Sequence, residues 1–448
     1  MMIGVQRLNR LFREAIASRR FSKTITAAFF PRIGAKRVAQ PVRETVPSSK
    51  QTSGGAMKAA WILPFSLLVF VVLIDSVDAN SFGPVMAQIK AAWSMNNTDV
   101  GIYMGMYGLI PILVAVPIGE AVRRWGVKRA VICAVTIIFV GSVLMATAGG
   151  FPQGLTGRIF ATAGIRMGTV ASWAGATTVA PASIMTSAWT IMNTANATGG
   201  IIGPPVVGGY IGSKFGWQGV FYTLAGLSIF CIALIGLFLR MPSAKTDAPV
   251  DVAVATAASR FNVYRCFEIY LTGAIFTLMI GGNQLSIMSF APLAMVQRWH
   301  MDPQAIGNMI GLSYSVGLPV MLVAGILADK LRTRKKIIIA TAIPMAAGLF
   351  LLTSQNQSIF MLGLVGYLGF TYAPGAMLYA CAPDMVPKGT NLGPVYGLLV
   401  TISNIGSFVT PIVVGWIKDA TGNFNPGFIL LGTMCTLSLL LSFKLKAR

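Results

Sequence analysis

The chain has 448 residues, of which 55% are hydrophobic and 11% charged, where an ordinary soluble domain carries about a quarter charged residues. That balance excludes a soluble globular protein and marks a membrane chain. A single histidine, His300, and five cysteines without paired spacing exclude haem, di-iron, zinc and disulfide-framework classes, which consume several such ligands, so no cofactor and no metal is expected.

The net charge of +22 is unevenly placed. Residues 1–57 hold eleven Lys and Arg against only Glu14 and Glu44, so much of the charge sits on a tail and does not mark a nucleic-acid-binding face. Its opening, VQRLNRLFREAIASRRF, is Arg-rich and amphipathic, as an organelle transit peptide is. The stretch SSKQTSGGAM, running into Met57, reads equally as part of a disordered basic extension, or as sequence upstream of the true start.

From Lys58 onward, apolar runs of roughly 20 residues recur, the length that crosses about 30 Å of hydrocarbon. They predict an all-α membrane protein with twelve spans, at 59–86, 99–120, 127–147, 153–177, 187–211, 217–240, 266–293, 303–329, 336–353, 357–381, 393–417 and 425–445. With a cytoplasmic N-terminus, 29 Lys and Arg fall on inside segments and four (Lys90, Lys214, Arg298, Lys418) fall outside. The positive-inside rule therefore puts both termini in the cytoplasm. Asn96-Asn97-Thr98 and Asn356-Gln357-Ser358 are glycosylation sequons in the expected outer loops, a pattern that also arises by chance.

The halves repeat. Ser81-Phe82-Gly83-Pro84 recurs as Ser289-Phe290-Ala291-Pro292 at an offset of 208, while Gly101 and Gly105 recur as Gly307 and Gly311, and PVVGGYI (205–211) as PIVVGWI (411–417), at 206. Two six-span units in the same orientation follow, at 58–240 and 266–448, joined by a cytoplasmic linker at 241–265.

Two basic loops stand at matching places in the halves. One runs from Gly119 and Glu120 through Arg123, Arg124 and Gly126 to Lys128 and Arg129; the other runs from Gly325 and Asp329 through Lys330 and Arg332 to Arg334 and Lys335. With twelve spans in two parallel repeats, this pattern resembles the major facilitator superfamily over residues 58–448. The resemblance implies a secondary transporter whose two bundles rock around a midplane site, with these loops gating the cytoplasmic side. The chain departs from the family's loop pattern in each copy: Arg123 stands where the acid belongs, and Arg332 stands where the second glycine belongs. Glu120, a turn earlier than the missing acid, is the available substitute.

The fifth span, Gly199 to Gly209, resembles the antiporter motif G-P-x-x-G-G with one extra residue, and reads equally as close helix packing. The first span carries Asp75-x-x-x-x-Asn80-x-x-x-Pro84, which resembles a motif of proton-driven exporters.

Asp75 and Asp78 lie three residues apart in an apolar span. A charge at the bilayer centre costs at least about 2.5–3.5 kcal/mol, so both should face a cavity or a partner. Depth along the antiparallel fourth span matches Arg166 to Asp75 and Arg158 to Asp78 as facing or pairing groups. The 208 offset makes Asn283 and Ser286 their counterparts in the second half. Gln284, Tyr314, Tyr372, Tyr379 and Asn404 offer it polar and aromatic surface, and Tyr103, Tyr107, Trp173 and Trp189 are further cavity candidates, with packing as the alternative for each aromatic.

Three roles remain open for the charged groups: a carboxylate that carries a proton across, an arginine that binds an anionic substrate, or a structural ion pair. The leading function is proton-coupled transport of a small organic solute. Uptake or exchange of an organic or inorganic anion through Arg166 is the alternative within transport, and a non-transporting receptor or assembly factor is the alternative outside it. No phosphate-binding loop and no nucleophile–base pair is present, so neither ATP-driven pumping nor enzyme catalysis is expected. The expected partners are the bilayer, a small-molecule substrate and protons, for a monomer in a bacterial inner membrane. An organelle inner membrane is the alternative if residues 1–50 form a transit peptide.

Overall fold

A computed structural model describes residues 61–181, 184–241, 262–331, 333–387 and 392–445. The basic tail at 1–57, nearly all of the linker and Arg332 lie outside the described residues. Every regular element among those described is helical. In chain order the helices are α1 (Ile62–Ser81), α2 (Met86–Ala92), α3 (Asn97–Ala146), α4 (Phe151–Val179), α5 (Met185–Ile202), α6 (Gly212–Phe238), α7 (Phe267–Phe276), α8 (Gly282–Trp299), α9 (Pro303–Ser315), α10 (Gly317–Leu331), α11 (Arg334–Leu351), α12 (Gln357–Leu368), α13 (Tyr372–Ala380), α14 (Gly393–Thr421) and α15 (Asn425–Ser442). Nine helical stretches among the described residues are long and apolar enough to cross a membrane, Ser187–Phe238 being 52 residues long. Helices α4 and α11 are not among the nine; α4 carries Arg158 and Arg166.

Local chemistry sets the helix ends. Asn96 caps α3, its side chain accepting from the Asp99 amide (2.7 Å) while Asp99 accepts from the Asn96 amide (3.0 Å). Asp302, 206 residues on, caps α9 through the Ala305 amide at 2.9 Å, so the repeat reaches down to the caps, each worth about 1 kcal/mol. Both sequon asparagines are helix caps, since Asn356 accepts from the Ser358 and Ile359 amides at the start of α12. Within α3 the helix breaks at Gly126, whose φ of +75° is a backbone state that side-chain-bearing residues rarely hold. This is the second glycine of the first loop signature.

The loop lysines are mirrored too. Lys128 Nζ donates to the Gly236 carbonyl at 2.9 Å, and Lys335 Nζ donates to the Phe443 carbonyl at 2.7 Å. Each ties a basic loop to the carbonyl end of its own half's last helix, where cations are favoured. These two lysines therefore do more than set topology.

The halves meet along two related seams. In one, α3 packs on α14: a Cβ on Gly101 would collide with the Pro411 carbonyl, and one on Gly105 would stand 2.7 Å from the Phe408 carbonyl. In the other, α9 packs on the π-helical turn Gly203–Ile211 that continues α5. There a Cβ on Gly307 would collide with the Pro204 carbonyl, and one on Gly311 would stand 2.8 Å from the Ile201 carbonyl. Such backbone-to-backbone approach is how helices associate where burial from water gives little drive. The glycines of the fifth span and their neighbours thus act in packing.

Both seams lie toward the face opposite the basic loops. On the basic face, Gly119, Gly126 and Gly325 have open space around them. Glu120 is spent on Arg123 (2.6 and 2.7 Å) and Arg124 of its own helix, with both arginines exposed. Arg334 pairs with Asp384 at 2.8 Å within the second half. Asp329 lies in α10. Of the gate that the resemblance assigns to Gly119, Arg123, Gly126, Gly325 and Asp329, the Arg123 guanidinium bonds Glu120 of its own helix, and the side chain of Asp329 lies outside what the structure describes.

Candidate functional site

A cavity of about 490 Å³ lies between the halves. The first half lines it with Asp75, Ser76 and Asn80 of α1, Tyr107 of α3, Arg166, Thr169 and Trp173 of α4, and Asn193 and Asn196 of α5. The second half contributes Gln284 of α8, Tyr372 and Tyr379 of α13, and Ser403, Asn404 and Ser407 of α14. Among the described residues, Asp75 and Arg166 are the only ionisable acid and base in this lining, apart from the tyrosines.

Asp75 is buried, and neither of its oxygens accepts a hydrogen bond. The Thr169 hydroxyl stands close by, but its proton goes to the Ile165 carbonyl at 2.8 Å. Its carboxylate rests against Gly168, where a Cβ would come within 2.9 Å of Oδ2. Arg166 is near enough to act on Asp75 through its field, yet the two form no ion pair within contact distance among the described residues. Instead Arg166 Nη2 donates to the Tyr107 carbonyl at 3.4 Å, and its guanidinium centre stands 4.4 Å from the Tyr107 ring. Its Nε has no partner.

Asp78 and Arg158 are elsewhere. They are 2% and 0% exposed and do not line the cavity. Arg158 sits over Phe82 (4.2 Å), Tyr107 (5.3 Å) and Tyr103 (5.4 Å), and none of its three guanidinium nitrogens has a hydrogen-bond partner. Its field reaches Asp78. Depth thus places each arginine near the matching aspartate, but rotation about the helix separates the two pairs. Three residues leave Asp78 roughly 60° from Asp75, and eight leave Arg158 roughly 80° from Arg166, at 3.6 residues per turn.

Other expected cavity residues are also turned away. Asn283 is fully buried, donating to the Leu278 carbonyl (2.8 Å) and the Leu431 carbonyl (3.3 Å). The π-helical turn Thr277–Gly281 just before it shifts the helical phase and leaves a carbonyl for the amide to satisfy. Its neighbour Gln284 therefore faces the cavity. Ser286 is spent on the Gly282 carbonyl of its own helix at 2.8 Å. Tyr103 is buried beside Arg158, its hydroxyl on Met145 Sδ at 3.1 Å. Tyr314 lies behind Tyr372, with ring centres 5.7 Å apart, and accepts from Gln284 Nε2 at 3.1 Å. Trp189 is 44% exposed and stacks on Trp173 at 4.6 Å without joining the lining.

Sequence reasoning missed Thr169, Asn193, Asn196, Ser403 and Ser407. The signal was spacing: Thr169 follows Arg166 by three, Asn196 follows Asn193 by three, and Ser407 follows Ser403 by four, a polar stripe on one helix face.

The Major Facilitator Superfamily profile matches residues 68–282 and 271–448. A probable galactarate/D-glucarate transporter of Bacillus subtilis is 21% identical over 430 residues, covering 86% of this chain and 90% of that protein. A gentisate transporter of Corynebacterium glutamicum is 25% identical, covering 83% of this chain and 84% of that one. In fold, a D-xylose–proton symporter superposes with a TM-score of 0.74 at 14% identity, over 86% of this chain and 98% of the other. The chain belongs to the Major Facilitator Superfamily and is a multi-pass membrane transporter, not an enzyme.

Proposed function

We propose that the chain moves a small organic solute by alternating access, coupled to protons, through twelve membrane crossings with the basic face in the cytoplasm. The surplus of Lys and Arg on the basic loops supports that orientation. The observation that carries the mechanism is the state of Asp75: buried, open to the cavity, and accepting no hydrogen bond. A buried charge without a partner is costly, so a proton on Asp75 and a solute in the cavity are the two things the site can exchange. Arg166, close but uncommitted, tunes when that proton leaves. Arg158, sealed over aromatic rings, and the buried Asp78 within its field order the bundle.

A second reading is favoured by Arg166 itself. Its guanidinium lines the cavity without a carboxylate partner, as a site for an anionic solute does. The gentisate and galactarate/D-glucarate relatives are named for such solutes.

Uptake by purified protein in proteoliposomes tests both. Under proton coupling, Asp75→Asn abolishes accumulation driven by a proton gradient while solute exchange persists. Under the anion reading, Arg166→Gln abolishes uptake of labelled anions and Asp75→Asn does not. No proton movement with any of a broad solute panel would remove the coupling reading.

A further inference from the structure

At the face opposite the basic loops, a carboxylate from one half completes a helix of the other. Asp419, near the end of α14, accepts four hydrogen bonds at the start of α3: from the Asn97 amide N–H (3.0 Å), Asn97 Nδ2 (2.6 Å), the Thr98 amide N–H (2.7 Å) and Thr98 Oγ1 (2.7 Å). The third free amide of that helix start, Asp99 N–H, is taken by Asn96. Behind Asn97 stands Lys90, whose Nζ donates to Asn97 Oδ1 at 2.6 Å. A chain of contacts therefore runs Lys90–Asn97–Asp419 across the boundary between halves. Helix starts leave amides without partners and favour negative charge, so this carboxylate meets the first half's most receptive point.

Among the described residues the related seam shows no such clamp. Subtracting 206 from Asp419 gives Ser213, whose hydroxyl donates to the Tyr210 carbonyl of its own helical stretch. Across that seam the polar contact is neutral, Gln304 Nε2 to the Pro205 carbonyl at 3.3 Å. The halves share one packing pattern, and among the described residues only one of these two seams carries a charged tie.

We propose that Asp419 is the latch of the outer gate: its seat on Asn97 and Thr98 holds the outer face shut, and leaving that seat is the step that opens the cavity outward. The inference rests on alternating access and on the proposed orientation, but not on which solute or ion is moved. Opening costs the second half a charge-assisted set of bonds, while the first half's amides pass to water. Solute or proton binding must offset that cost before the outer face parts.

The test reads accessibility, not transport. A cysteine reporter is placed in the cavity lining by Leu285→Cys, and cells carrying the full chain are treated from outside with a membrane-impermeant maleimide. Labelling is read against the same chain without the reporter. With Asp419 intact the rate is low. In Asp419→Ala and Asp419→Asn it rises roughly tenfold, the effect of losing about 1.4 kcal/mol of closure. Thr98→Cys with Asp419→Cys, oxidised to a disulfide, holds the rate at the low value until reductant is added. Unchanged labelling in both Asp419 variants, with normal yield and melting temperature, overturns the latch. Should either variant fail to fold, the disulfide pair decides: reporter labelling that is the same oxidised and reduced also overturns it. Failure of proton coupling in the uptake experiment leaves these rates untouched, so the two readings fail separately.

Discussion

Gly168 holds open the space that the Asp75 carboxylate occupies, since a methyl group there would stand 2.9 Å from Oδ2. Gly168→Ala therefore displaces the carboxylate or strains α4, at a packing cost of about 1–3 kcal/mol partly offset by about 1 kcal/mol of helix propensity. Melting temperature should change little, while proton-driven accumulation falls at least as far as in Asp75→Glu. Gly226→Ala, a position with open space around it, is the control and should leave accumulation intact. Equal behaviour of the two variants would show that Asp75 has no need of its exact seat.

Tyr372 meets the first half at Gly200. A Cβ on Gly200 would lie 2.7 Å from the Tyr372 hydroxyl and near Asn80 and Tyr314, so the hydroxyl closes against bare backbone. Gly200→Ala should disfavour this closed arrangement by about 1–3 kcal/mol, or roughly five- to 150-fold in population. Tyr372→Phe removes the clashing oxygen, and the double variant should recover much of the lost transport rate. A double-mutant cycle of uptake rates measures this, and simple additivity would exclude the contact as the cause.

Arg158 and Arg166 should part company when removed. Arg158→Ala leaves Asp78 buried without its neighbouring charge and should lower the melting temperature of the detergent-solubilised protein by several degrees. Pairing it with Asp78→Asn should restore part of that loss. Arg166→Ala removes a cavity-lining group and should cut uptake with a smaller change in melting. The reverse pattern would exchange the roles assigned to the two arginines.

How much of this was legible beforehand depended on which physical signal each feature leaves in a sequence. Long apolar runs are read directly, because lipid admits little else, and the glycine pairs at 101, 105, 307 and 311 were legible as a repeat but not as the seams they form. Depth could be counted at a fixed rise per residue, which is why Arg166 lands beside Asp75. Rotation could not, since a π-helical turn such as Thr277–Gly281 leaves no strong mark in composition and moves every later side chain around the axis. Asn283 is turned out of the cavity for that reason, while Gln284 stays in its lining. Asp419 went unnoticed because it stands just past a predicted span, as an ordinary polar residue would, and its partners lie 321 and 322 positions away.

The ties from Lys128 to Gly236 and from Lys335 to Phe443 both begin and end inside a single half. A rocking motion therefore has no such ligature to break: each unit carries its own buckle, and the work of the cycle falls on the line where the two touch. Damage to either lysine would loosen one unit internally, so its mark would be a softened, leaky body and not a jammed hinge.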